Sequence, residues 1–190
     1  MVIGILALQG CVEPHAEHLR SLGISVRYVR LPSDLDGIDG LILPGGESTT
    51  MLKLARVFGV WEKLLPLSKQ IPFWGICAGS ILMATQVENP EQESLGVIDL
   101  TVRRNAYGRQ LESFQGNVDT DTGPEAAVFI RAPKFTKFGS TVKVAGRVNG
   151  EAVFLEEGRH MVTAFHPEMT DSNWCHQRFL AKISANTPGL

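Results

Sequence analysis

Val2 to Leu8 is an unbroken apolar run, the pattern of a strand covered on both faces. A helical stretch follows over about Pro14 to Leu22, with Pro14 suited to a first turn and Gly23 to a C-terminal cap. Ser25 to Leu31 and Gly40 to Leu43 read as strands. Ser48 is placed to cap a helix reaching Phe58, and a further helix covers Val60 to Ser68. Phe73 to Ile76 is a short buried strand, and Gly79 to Gln86 reads as a helix. From about Gly96 the texture changes. Val97 to Arg103, Val128 to Ile130, Val142 to Val148, Ala152 to Leu155 and Met161 to Phe165 read as strands separated by turns. Glu88 to Ser94 and Asp119 to Glu125 are polar loops, and a helix over Trp174 to Ser184 closes the pattern.

Strands alternating with helices predict an α/β fold in three layers, with a mostly parallel central sheet. The second half predicts some antiparallel strands. At 190 residues, with no repeat and no convincing linker, one domain over 1–190 is expected.

Composition narrows the function classes. The net charge of -2 gives no argument for nucleic-acid or anionic-membrane binding. The apolar N-terminus lacks a basic leader and reads as a strand rather than a signal peptide. Ile71 to Ala84, the longest apolar stretch, is too short for a membrane span of about 20 residues. Cys11, Cys77 and Cys175 are too few and too widely spaced for a disulfide framework or a zinc pattern. A reducing, cytoplasmic setting is the simpler expectation.

The chemistry concentrates at Phe73-Trp74-Gly75-Ile76-Cys77-Ala78-Gly79, a strand running through Gly-x-Cys-x-Gly into a helix. This is the thiol form of a nucleophile elbow. It puts Cys77 at a strand's carboxyl end and a helix N-terminus, where the dipole favours the reactive thiolate. A lone cysteine is more often a small, inert core residue; the glycine frame reverses that preference. The nucleophile then needs a base and a group to orient it. In Phe165-His166-Pro167-Glu168, His166 follows an apolar strand and Glu168 stands two residues on, able to hold the imidazole. His15, His18, His160 and His176 read as surface or partly buried polar residues. Leu43-Pro44-Gly45-Gly46-Glu47-Ser48 is a strand-to-helix turn whose backbone N–H groups can face a ligand. Gly46 could join Ala78 in an oxyanion hole. The turn lacks the Gly-Lys-Ser/Thr of a phosphate loop.

Together these elements, in this order over nearly the whole chain, resemble the class I (triad) glutamine amidotransferase family, whose fold is flavodoxin-like. Several segments are similar to one branch of it, the glutaminase subunits of pyridoxal 5'-phosphate synthase. They are Leu8-Gln9-Gly10, Leu41 to Met51, Arg104-Asn105 with Tyr107 to Gln110, Phe129 to Pro133, and Phe165 to Glu168. The resemblance implies Cys77 as nucleophile, His166 as base and Glu168 as its orienting partner. It implies L-glutamine held by Gly46, Glu47, Ser48, Arg104, Ile130 and Arg131, with Arg109 a further candidate. It implies hydrolysis of glutamine to glutamate and ammonia without metal or organic cofactor. The ammonia would pass to a synthase subunit in a large hetero-oligomer for vitamin B6 synthesis. The residues leave alternatives: a glutaminase of histidine, anthranilate or guanine nucleotide synthesis, another cysteine hydrolase or chaperone-like protein on a similar sheet, or a non-catalytic regulatory subunit. Cys11, Pro14 and Ser80 depart from the family's pattern. Cys11 and Pro14 lie near Gln9, in a region the family uses to meet its synthase.

Overall fold

The computed structural model describes residues 1–104 and 113–186. Four strands, β1 (Val2–Leu6), β2 (Ser25–Val29), β3 (Gly40–Leu43) and β4 (Phe73–Ile76), are connected through three helices. These are α1 (Val12–Ser21), α2 (Ser48–Val57) and α3 (Trp61–Ser68). The short α4 (Ala78–Met83) leads into β5 (Ala84–Glu88) and β6 (Ile98–Arg103). Then come β7 (Phe114–Thr120), β8 (Gly123–Phe129), β9 (Lys134–Phe138), β10 (Lys143–Val148), β11 (Glu151–Glu157), β12 (His160–Thr163) and α5 (Trp174–Asn186).

The large sheet runs β2-β1-β3-β4-β12-β11-β10-β7-β8. Its pairs are parallel from β2 to β12 and antiparallel from β12 to β8. A smaller sheet, β5-β6-β9, lies beside it.

The apolar runs of β3 and β4 are continuous because both faces are covered. Leu41, Leu43 and Phe73 point into one core with Met51, Leu64 and Leu82 of α2, α3 and α4. Ile42, Trp74 and Ile76 point into the other with Leu19 of α1 and Phe179 and Ile183 of α5. Residues one apart therefore serve opposite layers, as strand geometry demands. Burying a side chain such as Phe179 contributes about 2–3 kcal/mol. No helix among the described residues is long and apolar enough to cross a membrane.

Three expectations need correction. The segment after the elbow is helical only to Met83; Ala84 turns extended and pairs with Ile98, so Ala84 to Gln86 belong to a strand. The cap of α2 is Glu47, whose carboxylate accepts from Thr49 and Thr50 N–H, while the Ser48 hydroxyl goes to Gln92. β7 and β9 were not predicted. Each is half-exposed, with Val118 the buried residue of β7, so neither carries a clear alternation. The polar stretch Asp119 to Glu125 spans the tight β7–β8 turn and the adjoining strand ends.

Candidate active site

The elbow forms where β4 ends. Cys77 has φ 47° and ψ -101°, a strained backbone for a non-glycine residue. Its surroundings hold it there. The Cys77 N–H donates to Thr163 O at 2.8 Å, continuing the β4–β12 ladder. Its carbonyl accepts from Ser80 N–H, Ile81 N–H and, at 2.6 Å, the Ser80 hydroxyl. Ser80 thus clamps the turn. The glycine at 79 is a steric requirement, since a Cβ there would lie 1.9 Å from Leu43 O.

β12 runs beside β4, so His166, three residues beyond its end, returns to the same sheet edge as Cys77. The His166 N–H donates to Val128 O at 2.7 Å, anchoring the base to the tip of β8. Its Nδ1 and Glu168 Oε1 are 2.7 Å apart, so an ionised Glu168 accepts the Nδ1 proton. That leaves Nε2 as the nitrogen open to other partners. Cys77 and, unexpectedly, Cys11 both stand beside the ring, lining the same cavity as His166. Burial works against a charged His166, but those thiols and the Glu168 carboxylate outweigh it and hold the pKa well above the ordinary imidazole range. Burial also raises the Glu168 pKa, yet His15 and His166 together bring it below the carboxylate norm. Gly45 packs under the ring so closely that a Cβ would sit 2.2 Å from His166 Cε1.

These groups open on a cavity of about 330 Å³, near the lower end of small-molecule sites. Gly46, Glu47, Ser48, Cys77, Ala78, Arg104, Ile130, Arg131 and His166 all line it, so the described residues singled out for substrate or oxyanion binding converge there. Arg104 is largely buried and reaches Glu47 Oε1 at 3.3 Å and Thr49 Oγ1 at 3.1 Å. Ile130 O lies 4.0 Å from Cys77 Sγ, and Arg131 beyond it adopts φ 44°. Two residues at the site were missed as participants. Gln9 Oε1 accepts the Glu47 N–H at 2.8 Å, and Cys11 N–H donates to Gly45 O at 2.9 Å. Arg109, Asn105 and Tyr107 to Gln110 lie outside the described residues.

Cys11 Sγ, a His166 nitrogen and a Glu168 oxygen lie within 4.8 Å of one another. Nδ1 and Oε1 already hold each other, however, and this arrangement fits proton transfer at Nε2 better than shared ligation of a metal. Cys175, by contrast, is fully buried and its thiol pKa is raised by that burial, as for an inert core cysteine.

The chain has several likenesses among known proteins. The "Pyridoxal 5'-phosphate synthase subunit PdxT" of Thermotoga petrophila is 44% identical over 187 residues, covering 96% of this chain and all of that protein. Its namesake in Acidothermus cellulolyticus is 46% identical, covering 96% of this chain and 94% of its own. A solved structure described as a glutamine amidotransferase superposes with a TM-score of 0.91 at 40% identity, covering 97% of this chain and all of that one. PurLQS from Thermotoga maritima shares the fold, with a TM-score of 0.67 at 17% identity over 97% of this chain and 95% of its own. The SNO glutamine amidotransferase family matches residues 5–185, and the chain belongs to that family.

Proposed function

We propose that the chain, as a single glutaminase domain, hydrolyses L-glutamine to L-glutamate and ammonia and hands the ammonia to the synthase subunit of a pyridoxal 5'-phosphate synthase. The observation that carries this reading is one cavity in which the Cys77 thiol, an imidazole backed by a carboxylate, and two arginines face the same space. A small zwitterion with a side-chain amide suits that set. Arg104 and Arg131 offer forked donors to its α-carboxylate.

The chemistry follows from the placement. Cys77 Sγ, its proton taken by His166 Nε2, attacks the side-chain amide carbon. The oxyanion is received by backbone N–H groups at Gly46 and Ala78. His166 returns the proton to the amide nitrogen, the C–N bond breaks, and ammonia leaves a glutamyl thioester on Cys77. His166 then takes a proton from water, the hydroxide adds to the thioester, and glutamate departs with the thiol restored. Glu168 keeps Nδ1 protonated, so Nε2 alone does the proton transfers.

Ammonia released into water would be protonated and lost as a nucleophile, which argues for a docked acceptor. The relatives' shared name supplies its class. Docking of many copies into one assembly, and activation on docking, belong to the same proposal. The test is glutamate release with and without the synthase subunit, for wild type and Cys77→Ala. Cys77-dependent hydrolysis that rises with the synthase supports the reading. Hydrolysis unaffected by Cys77→Ala sinks it.

A further inference from the structure

Behind the triad, on the side away from the cavity, lies a sealed group of histidines. His15 from α1 and His176 from α5 are fully buried, with His15 Nδ1 and His176 Nε2 3.0 Å apart. Trp74 packs edge-on to both rings, at centroid distances of 5.5 and 5.0 Å. His15 Nε2 lies 3.5 Å from Glu168 Oε2, the oxygen not used by His166. Among the described residues, neither of those two buried atoms has a hydrogen-bonding partner, so each is left facing the other, and His176 Nδ1 has none either.

The direction of the protons follows from this pattern. An ionised carboxylate only accepts. If His15 carries its proton on Nε2, it donates toward Glu168 Oε2, its Nδ1 accepts from His176 Nε2–H, and the orphan His176 Nδ1 is a bare lone pair. In the reverse arrangement two lone pairs face each other between His15 and Glu168. A buried N–H is then stranded on His176 with no acceptor, the costlier of the two outcomes. The first arrangement is favoured at both ends.

We propose that His15 is a positioning residue for the triad: with its proton on Nε2, the buried imidazole holds the second oxygen of Glu168 and so fixes the carboxylate that orients His166. This rests on the glutaminase reading. Burial holds the His15 pKa down to about 4, and His166 and His18 push the same way against Glu168, so at neutral pH the ring acts through its N–H dipole rather than a full charge. His18, three residues along the same helix face, lies with Nδ1 2.5 Å from Asn173 Oδ1 and Nε2 3.3 Å from the Glu168 backbone carbonyl. The titratable groups around Glu168 and its two imidazole neighbours are Cys11, His15 and His18 from the α1 region, Cys77 from the elbow, and Cys175 and His176 from α5.

The test compares His15→Leu with His15→Gln, whose amide nitrogen can replace the Nε2 donor. Both are assayed for glutamine hydrolysis with the synthase subunit, beside wild type and Cys77→Ala. His15→Leu should lower kcat/KM roughly 10-fold. It should also move the acid limb of the kcat/KM profile to higher pH, because a carboxylate deprived of a donor is protonated more easily. His15→Gln should recover most of the rate and the wild-type limb. A wild-type rate and limb in His15→Leu, or equal losses in both variants with the limb unmoved, would overturn the assignment. Absence of Cys77-dependent hydrolysis in wild type would instead defeat the glutaminase reading. Should either variant fail to fold, nitrogen chemical shifts of His15 in the wild-type protein decide the matter. A neutral ring protonated at Nε2 at pH 7 is expected; protonation at Nδ1 would overturn the proposal.

Discussion

The imidazole of His166 has two sides, and they are built differently. Toward the cavity stand polar groups with long side chains: Glu47, Arg104 and Arg131, with Glu47 about half exposed and Arg104 engaged in contacts to Glu47 and Thr49 that a ligand could exchange. Toward the interior stand Glu168, His15, His176 and Trp74, all fully buried or nearly so, on a parallel sheet packed from both faces. One side can rearrange around a substrate. The other cannot move without opening the core, and interiors packed to crystal-like density resist that. The difference teaches where precision is stored: the base is held from behind and the substrate is held from in front.

Substitutions on the two sides should therefore fail in different ways. The largest effect is expected at Glu168→Gln. The amide oxygen can still accept from His166 Nδ1–H, but its NH₂ then faces the His15 N–H, donor against donor. Glutaminase kcat should fall roughly 10²–10³-fold with KM little changed. A kcat within about 3-fold of wild type would show that the interior side does not matter. Arg104→Ala, on the cavity side, should do the opposite. It removes a cation from the substrate's α-carboxylate, so KM should rise roughly 10–100-fold with kcat nearly kept. A pure kcat loss would move Arg104 from substrate holding to catalysis.

The interior side also predicts a pH signature in stability. Burial lowers the pKa of His15 and His160 to about 4 and of His176 to about 2, from an ordinary 6.5. Each is neutral when folded and protonated when unfolded below pH 6.5. Stability is therefore lost as pH falls from 6.5 toward 4, by up to about 1.4 kcal/mol per pH unit for each histidine. His166 has the opposite sign. Its raised pKa stabilises the fold below pH 6.5, and that contribution declines as pH rises. The urea midpoint should peak near neutral pH and drop clearly by pH 5; a flat profile would contradict the burial account. His15→Leu should reduce the acid-side slope by one histidine's share.

Cys11→Ala should have the smallest effect. Cys11 Sγ lies within 4.8 Å of a His166 nitrogen, but Cys77 holds the strained elbow position, so kcat/KM should stay within about 3-fold of wild type. A loss of 100-fold or more would make Cys11 part of the proton path.

The cavity side was largely readable from local pattern. Gly-x-Cys-x-Gly after an apolar strand and His-Pro-Glu after another each announce a strand-end group, and β3 and β4 fall where their apolar runs predict. The interior side was not. His15 and His176 read as polar helix residues, and only tertiary packing shows that each shares its helix's buried stripe. His15 lies with Ala16 and Leu19, and His176 with Cys175, Phe179 and Ile183. That spacing was the available signal, masked by the preference for exposed polar residues. The Glu47 cap was missed because Ser48 beside it is also a good capping residue. β5 was missed because Ala84 and Gln86 suit a helix, and pairing with β6 overrode that propensity. Cys11 was read with a distant partner surface because nothing along the chain says that the β1–α1 turn folds over His166.

Two thiols flank one imidazole, so the most direct measurement is to find which one reacts. The assembly formed with the synthase subunit is treated with an electrophilic diazoketone analogue of glutamine, and the modified peptide is located by mass spectrometry. The account predicts a single adduct on Cys77, blocked by glutamine and lost in His166→Ala. Labelling at Cys11, or labelling indifferent to glutamine, would contradict it.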